Sequence, residues 1–123
     1  MTQTMRIIIA DDQAQARHAL KAVLVNWPEV EVTAEAVNGK DAIDLVEKVK
    51  PDTVLMDARM PVMDGLQATR WIKGHWPQVR VVVLTMYAAE RLAALAAGAD
   101  AFLLKGDPIE RLVDALSPST PLR

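Results

Sequence analysis

Five polar residues in this chain have the types and positions that chemistry needs: Asp11, Asp12, Asp57, Thr85 and Lys105. Each stands at or just past the end of a short apolar run. Asp11 and Asp12 follow Ile7-Ile8-Ile9-Ala10, and Asp57 closes Thr53-Val54-Leu55-Met56. Thr85 follows Val79-Arg80-Val81-Val82-Val83-Leu84, and Lys105 follows Ala101-Phe102-Leu103-Leu104. If these runs are parallel strands of one sheet, the five side chains converge at its carboxyl edge. Three carboxylates within about 4 Å of one another would repel by roughly 1–4 kcal/mol per pair at surface dielectrics, so positive charge must sit among them. A divalent cation with oxygen ligands meets that demand. Mg²⁺ suits it best, because it takes one or two carboxylates, keeps several waters and completes its octahedron with phosphate oxygens. Lys105 supplies a second, movable positive charge. A carboxylate is also a recognised phosphoryl acceptor, and such transfer is catalysed mainly by in-line positioning and by neutralising the equatorial oxygens.

Taken singly, each residue has a plainer reading. Asp11-Asp12 could form the N-cap region of a first helix, where carboxylates favour the positive end of the dipole. Asp57 could be a turn residue before Met60-Pro61, Thr85 a strand-end cap and Lys105 a solvated lysine. Asp64-Gly65 reads as a helix start only. It is the joint placement of five such residues at strand ends that points to function. His18 and His75 sit in helical patterns beside polar neighbours and read as solvated side chains. Trp27, Trp71 and Trp76 read as hydrophobic anchors at helix ends or exposed helix positions, with a protein interface left open for Trp71.

The elements that must position the site follow from hydrophobic periodicity. Half of the 123 residues are hydrophobic, yet only five are Phe, Tyr or Trp, so the core is aliphatic. That composition suits a buried sheet covered by helices. The three long apolar runs read as strands buried on both faces, with Val30-Glu31-Val32-Thr33-Ala34 and Ala101–Leu104 as weaker candidates. Between them, Ala16, Ala19, Leu20, Val23, Leu24 and Trp27 share one helix face before Pro28. Ala42, Leu45, Val46 and Val49 repeat the spacing after Asn38-Gly39 and up to Pro51. Leu66, Thr69, Ile72 and Trp76 do so after Asp64-Gly65 and before Pro77. An alanine-rich segment around Leu92 to Ala97 stops at Gly98, a residue suited to positive φ. A fifth helix is signalled by Asp107 as cap, Pro108 at the first helical position and Glu110 completing a capping box, ahead of Ile109, Leu112, Val113 and Leu116. Five strands alternating with five helices predict a doubly wound α/β sheet, which binds ligands beyond the carboxyl ends of its strands where strand order reverses.

Composition excludes several function classes. There is no cysteine, hence no disulfide, thiolate metal site or thiol nucleophile. Charge is balanced at a net −2, with no basic footprint for nucleic acid, and no apolar stretch suits a membrane span or signal-peptide core. The chain therefore reads as a soluble domain over residues 1–116, with the Ser/Thr/Pro-rich 117–123 as a linker or disordered tail.

Across residues 5–116 the chain resembles the receiver domain of two-component response regulators. Ile8-Ile9-Ala10-Asp11-Asp12 is similar to the family's acidic-pair strand, Val54–Gly65 to its phosphorylation-site segment, and Gly98-Ala99-Asp100-Ala101-Phe102-Leu103-Leu104-Lys105 to its lysine strand. The resemblance implies a flavodoxin-like (β/α)5 fold with a five-stranded parallel sheet. It implies Asp57 as phosphoacceptor, with Mg²⁺ held by the side chains of Asp11, Asp12 and Asp57 and by the backbone carbonyl of Arg59. Thr85 and Lys105 would contact the phosphoryl group, and Phe102 matches the switch aromatic whose rotamer follows Thr85. The implied partner is a sensor histidine kinase carrying phosphohistidine, and the implied location of the receiver is the cytoplasm. The implied activity is that of a switch that assists its own phosphotransfer and dephosphorylation, not that of a conventional enzyme, with homodimerisation on phosphorylation as one outcome.

The fourth strand and the Leu103–Asp107 stretch look closest to NarL/FixJ-type receivers, which usually precede a helix-turn-helix DNA-binding domain. The expectation is a receiver that controls such an output domain through the 117–123 linker, the alternative being a stand-alone regulator acting through protein contacts. The segment from Thr85 to Lys105 is shorter than in many receivers, so the fourth helix is expected to start abruptly or to be partly irregular. Gly106 stands where many receivers carry a cis-proline, and Pro108 is expected to be trans. Arg59 and Tyr87 would flank the entry of the hydrolytic water. A haloacid-dehalogenase-type hydrolase is disfavoured because Asp57-Ala58-Arg59 lacks that family's second aspartate. A nucleotide-binding module is disfavoured because no glycine-rich phosphate loop follows a strand.

Overall fold

The structure is a computed structural model that describes residues 4–116, so the expected tail at 117–123 lies outside the described residues. Its elements alternate throughout: β1 (Met5–Ala10), α1 (Ala14–Leu24), β2 (Val30–Ala36), α2 (Gly39–Val49), β3 (Thr53–Asp57), α3 (Gly65–His75), β4 (Arg80–Thr85), a 3₁₀ turn (Ala88–Glu90), α4 (Arg91–Ala96), β5 (Ala101–Leu104) and α5 (Ile109–Leu116). All strands pair in parallel in the order β2-β1-β3-β4-β5, as the α/β reading requires. The order reverses at β1, which has β2 on one side and β3 on the other.

The three apolar runs are the central strands, and the period of two along each sends alternate residues to two separate cores. Ile8, Ala10, Val54, Met56, Val81 and Val83 meet the buried faces of α2, α3 and α4. Ile7, Ile9, Leu55, Val82 and Leu84 meet α1 and α5 through Leu24, Leu112 and Leu116. The two weaker strands are the sheet edges. β2 extends past the expected Ala34 to Ala36 because a register shift sets Ile7 opposite Val32 and Ile8 opposite Ala34. Thr33, skipped by the pairing, donates its hydroxyl to the Ile7 carbonyl at 3.1 Å.

The helices start and stop close to the expected points, with two local corrections. Trp27 falls outside α1, which ends at Leu24, and serves instead as a turn residue whose N–H donates to the Leu24 carbonyl at 2.9 Å. The carboxylate of Asp107 does not form the expected capping box; it accepts from the Leu104 N–H at 2.9 Å, and α5 begins at Ile109. The helix starts after Asn38 and Asp64 are as read, and both residues also cap. Asn38 accepts from the Asp41 N–H at 2.7 Å and Asp64 from the Gln67 N–H at 2.8 Å. The expected irregularity after β4 is present: a 3₁₀ turn precedes a six-residue α4, which closes on Gly98 at φ +103°. The described residues contain no cis peptide bond.

One contact couples α3 to the carboxyl end of β3. A Cβ on Gly65 would lie 1.9 Å from the Asp57 carbonyl oxygen, while the Gly65 N–H donates to the Ala58 carbonyl at 2.9 Å. Gly65→Ala should therefore force the Asp57 backbone aside and destabilise the fold by about 2–3 kcal/mol, a cost typical of overpacking. Gly74→Ala in the same helix meets nothing within 4 Å and should gain about 0.5–1 kcal/mol from helix propensity. Urea denaturation of the two variants checks the contrast.

Candidate functional site

The topology delivers the strand ends to one place. β1 and β3 are adjacent, with Ala10 paired to Met56, so Asp11 and Asp57 emerge side by side where strand order reverses. Carboxylate oxygens of Asp11, Asp12 and Asp57 lie within 4.8 Å of one another. Lys105, carried past the end of β5, brings its Nζ to 2.9 Å from Asp11 Oδ2 and 3.5 Å from Asp57 Oδ2. Asp11 and Asp57 are buried, and Asp12 stands at the mouth.

The local backbone explains why these side chains stay in place. Asp11 does not cap α1; its Oδ1 accepts from the Gln13 N–H at 2.9 Å, which turns the chain immediately after β1. Arg17, which sequence reasoning did not single out, fixes the same corner from α1. Its Nη1 donates to the Asp11 carbonyl at 2.7 Å, and its Nε pairs with Glu35 at 2.8 Å. The spacing of six residues from Asp11 is the one signal that could have suggested it, and that spacing points to no partner without the fold. At β3 the Ala58 N–H donates to the Leu84 carbonyl at 3.1 Å, which extends the β3–β4 ladder just past Asp57.

Electrostatics follow from burial. Desolvation pushes the Asp57 carboxyl up from 3.8 to about 6, with the charge of Asp11 adding to the rise and Lys105 and the Arg59 N–H opposing it. Burial pulls the Lys105 ammonium down, but its hydrogen bond to Asp11 and the charges of Asp57 and Asp11 outweigh that and leave its pKa raised. One lysine thus faces three carboxylates. The donor set is all oxygen, close-set and short of positive charge, which fits a hard divalent cation such as Mg²⁺.

The remaining expected residues occupy less uniform positions. Thr85 ends β4, is buried, and accepts the Lys105 N–H through its carbonyl at 2.8 Å. Its hydroxyl donates to Glu90 Oε1. Glu90 was also missed by sequence reasoning. Arg59 follows Asp57 by two residues, pairs through Nε with Glu90 Oε2 at 2.8 Å, and lays its guanidinium 4.3 Å from the centre of the Tyr87 ring. Phe102 is half-buried on β5 opposite Val83, against the core shared by α2, α3 and α4. Both histidines are exposed, as read, and the His75 ring also stacks on Trp71 with centroids 4.0 Å apart.

The sequence profile of the response regulator receiver domain matches residues 7–117. The chain belongs to the response regulator receiver family. It is 40% identical over 111 residues to the uncharacterized transcriptional regulatory protein YhcZ of Bacillus subtilis, covering 89% of this chain and 52% of YhcZ. It is 38% identical over 114 residues to the transcriptional regulatory protein DegU of Brevibacillus brevis, covering 91% of this chain and 48% of DegU. The receiver thus spans about half the length of these curated relatives. Among solved structures, the receiver domain of the NarL response regulator from Mycobacterium tuberculosis matches with a TM-score of 0.85 at 29% identity, over 93% of this chain and 97% of that one. The NarL-type likeness read from the sequence therefore holds, and so does the five-stranded receiver fold. As a family member this receiver is a component of two-component signalling and in general a switch. No helix among the described residues is long and apolar enough to cross a membrane.

The raised pKa of Asp57 carries a stability consequence whose sign is definite. The folded chain holds this proton up to about pH 6, whereas the unfolded chain loses it near 3.8, so the contribution is most favourable below that lower value and is lost as pH rises through about 6. Asp57→Asn should then stabilise the receiver by about 2 kcal/mol at neutral pH in metal-free buffer, with the gap closing near pH 4. Urea denaturation across that range, with and without Mg²⁺, measures it. Added Mg²⁺ should narrow the neutral-pH gap.

Proposed function

We propose that this receiver is a phosphorylation-dependent switch that takes a phosphoryl group onto Asp57 from the phosphohistidine of a sensor histidine kinase. The observation that supports it is the placement of the buried Asp57 among Asp11, Asp12 and Lys105 at the point where strand order reverses. Asp11, Asp12 and Asp57 would hold Mg²⁺ through their side chains and Arg59 through its backbone carbonyl. When bound, the ion supplies charge neutralisation at the phosphoryl oxygens.

This chain's own residues do the rest. In the transfer a carboxylate oxygen of Asp57 forms a bond to phosphorus as the phosphorus–nitrogen bond breaks, and the departing imidazole keeps the bonding pair. Lys105 needs only to exchange its carboxylate partner for a phosphoryl oxygen, and Thr85 would donate its hydroxyl to another. The dianion adds about −1.5 to −2 charge at neutral pH and shifts an existing equilibrium, with Phe102 following Thr85 inward. Arg59 and Tyr87, stacked on each other, would screen the path of the hydrolytic water. The receiver thereby assists both its phosphorylation and its dephosphorylation.

Its relatives are named as transcriptional regulatory proteins and are about twice as long, which supports a DNA-binding output domain controlled by this one. The receiver itself would make no nucleic-acid contact, would act in the cytoplasm, and would dimerise on phosphorylation.

Acetyl phosphate with Mg²⁺ should label the wild type and not Asp57→Asn, seen as a shift on a phosphate-affinity gel. Equal labelling of both proteins would refute Asp57 as acceptor. The double variant Arg59→Ala, Tyr87→Ala should lose its phosphoryl group several-fold faster than wild type. An unchanged lifetime in a decay time course would remove the screening role.

A further inference from the structure

The short segment after β4 carries one acidic residue, Glu90, that the phosphoryl chemistry described above does not use. Glu90 closes the 3₁₀ turn and is largely buried, with 17% of its side chain exposed. Both of its carboxylate oxygens are occupied. Oε1 accepts the hydroxyl proton of Thr85, and Oε2 accepts from Arg59 Nε at 2.8 Å. The Thr85 oxygen in turn accepts the Tyr87 N–H at 3.2 Å, and the Glu90 N–H donates to the Tyr87 carbonyl at 3.1 Å. The Thr85 hydroxyl is therefore committed to its own downstream loop.

A hydroxyl has a single proton to donate. While it goes to Glu90 it cannot go to a phosphoryl oxygen, and the carboxylate is a charge-assisted acceptor of the stronger kind. Glu90 is also tethered, since a three-residue turn and the Arg59 guanidinium both hold it at Thr85.

We propose that Glu90 is a latch: it holds the Thr85 hydroxyl out of the site in the resting receiver and is displaced when a phosphoryl group on Asp57 claims that proton. This rests on the reading of Asp57 as phosphoacceptor and adds the regulation of that site. The competition is between two anionic acceptors for one donor. Release of Thr85 also frees Glu90 and with it the 3₁₀ turn, so the state of Asp57 is passed directly to the start of α4. The compact route follows from the short β4–α4 segment, which places a carboxylate five residues after the threonine on the first turn of the connection. Glu90 is thus a positioning residue that acts through Thr85.

The test is the rate of labelling by acetyl phosphate and Mg²⁺, in which a carboxylate oxygen of Asp57 bonds to phosphorus and acetate leaves with the bonding pair. Glu90→Ala should label about tenfold faster than wild type, a factor that corresponds to about 1.4 kcal/mol. Glu90→Gln, which keeps the size of the side chain and removes the charge, should fall between the two. In a Thr85→Ala background the same substitutions should bring no acceleration, a result that a merely structural role for Glu90 would not produce. Rates equal to or slower than wild type, or an acceleration that persists without the Thr85 hydroxyl, would overturn the latch while leaving Asp57 as acceptor intact. Absence of Asp57-dependent label in the wild type would overturn both readings together.

Discussion

Three carboxylates gathered against one ammonium group at the carboxyl edge of the sheet form the constraint on which the rest of this receiver depends. Asp11 and Asp57 are buried and Lys105 is in contact with both, so the cluster carries more negative charge than its surroundings neutralise. Such an arrangement opposes folding to the extent that Asp57 must ionise, and it makes the site receptive to positive charge. Stability and the proposed function pull in opposite directions at the same atoms. The aliphatic core offsets the difference. Each central strand feeds two separate apolar layers, and that packing holds the strand ends in register whatever the charges prefer.

Close packing extends to the backbone around the cluster. Gly65 brings the start of α3 against the Asp57 carbonyl, Arg17 ties α1 to the Asp11 carbonyl, and the β3–β4 ladder continues through Ala58. The phosphoacceptor position proposed for Asp57 is thereby rigid. Rigidity matters because in-line transfer depends on positioning more than on any reactive group of the protein. The movable parts lie on the other side. Lys105 sits at the end of an edge strand, and Thr85 leads into a 3₁₀ turn and a six-residue helix with only Ala94 buried. A stiff proposed acceptor beside a weakly packed segment is the physical arrangement a switch requires, since the local free energy of rearrangement must be small where a signal leaves.

The network of Thr85, Glu90, Arg59 and Tyr87 gives that mobile side a defined resting arrangement. An ion pair whose guanidinium is as exposed as that of Arg59 contributes little by itself. Its effect here is geometric, because it keeps a carboxylate aimed at a buried hydroxyl. Small changes at Asp57 can then be converted into a change of partner for Thr85, which is a discrete event and not a gradual deformation.

Much of this was legible in the chain itself. Continuous apolar runs ending in Asp or Thr determined the central strands, the sheet type and the edge at which chemistry would gather, because burial on both faces leaves a strand few other compositions. The local signals at Asn38, Asp64 and Gly98 determined their turns and caps, since each acts over a few residues. Other features were decided only by the tertiary structure. Whether Asp11 caps a helix or faces a site depends on β1 lying beside β3, and no local pattern encodes that adjacency. The diversion of Asp107 to the Leu104 N–H, the register shift that bypasses Thr33, and the grip of Arg17 on the Asp11 carbonyl are likewise contacts between neighbouring segments of the folded chain. Glu90 is the clearest case. In sequence it is one acid in an alanine-rich helix, and its role exists only once a 3₁₀ turn folds it back onto Thr85, because a hydrogen bond is selected by geometry and not by composition.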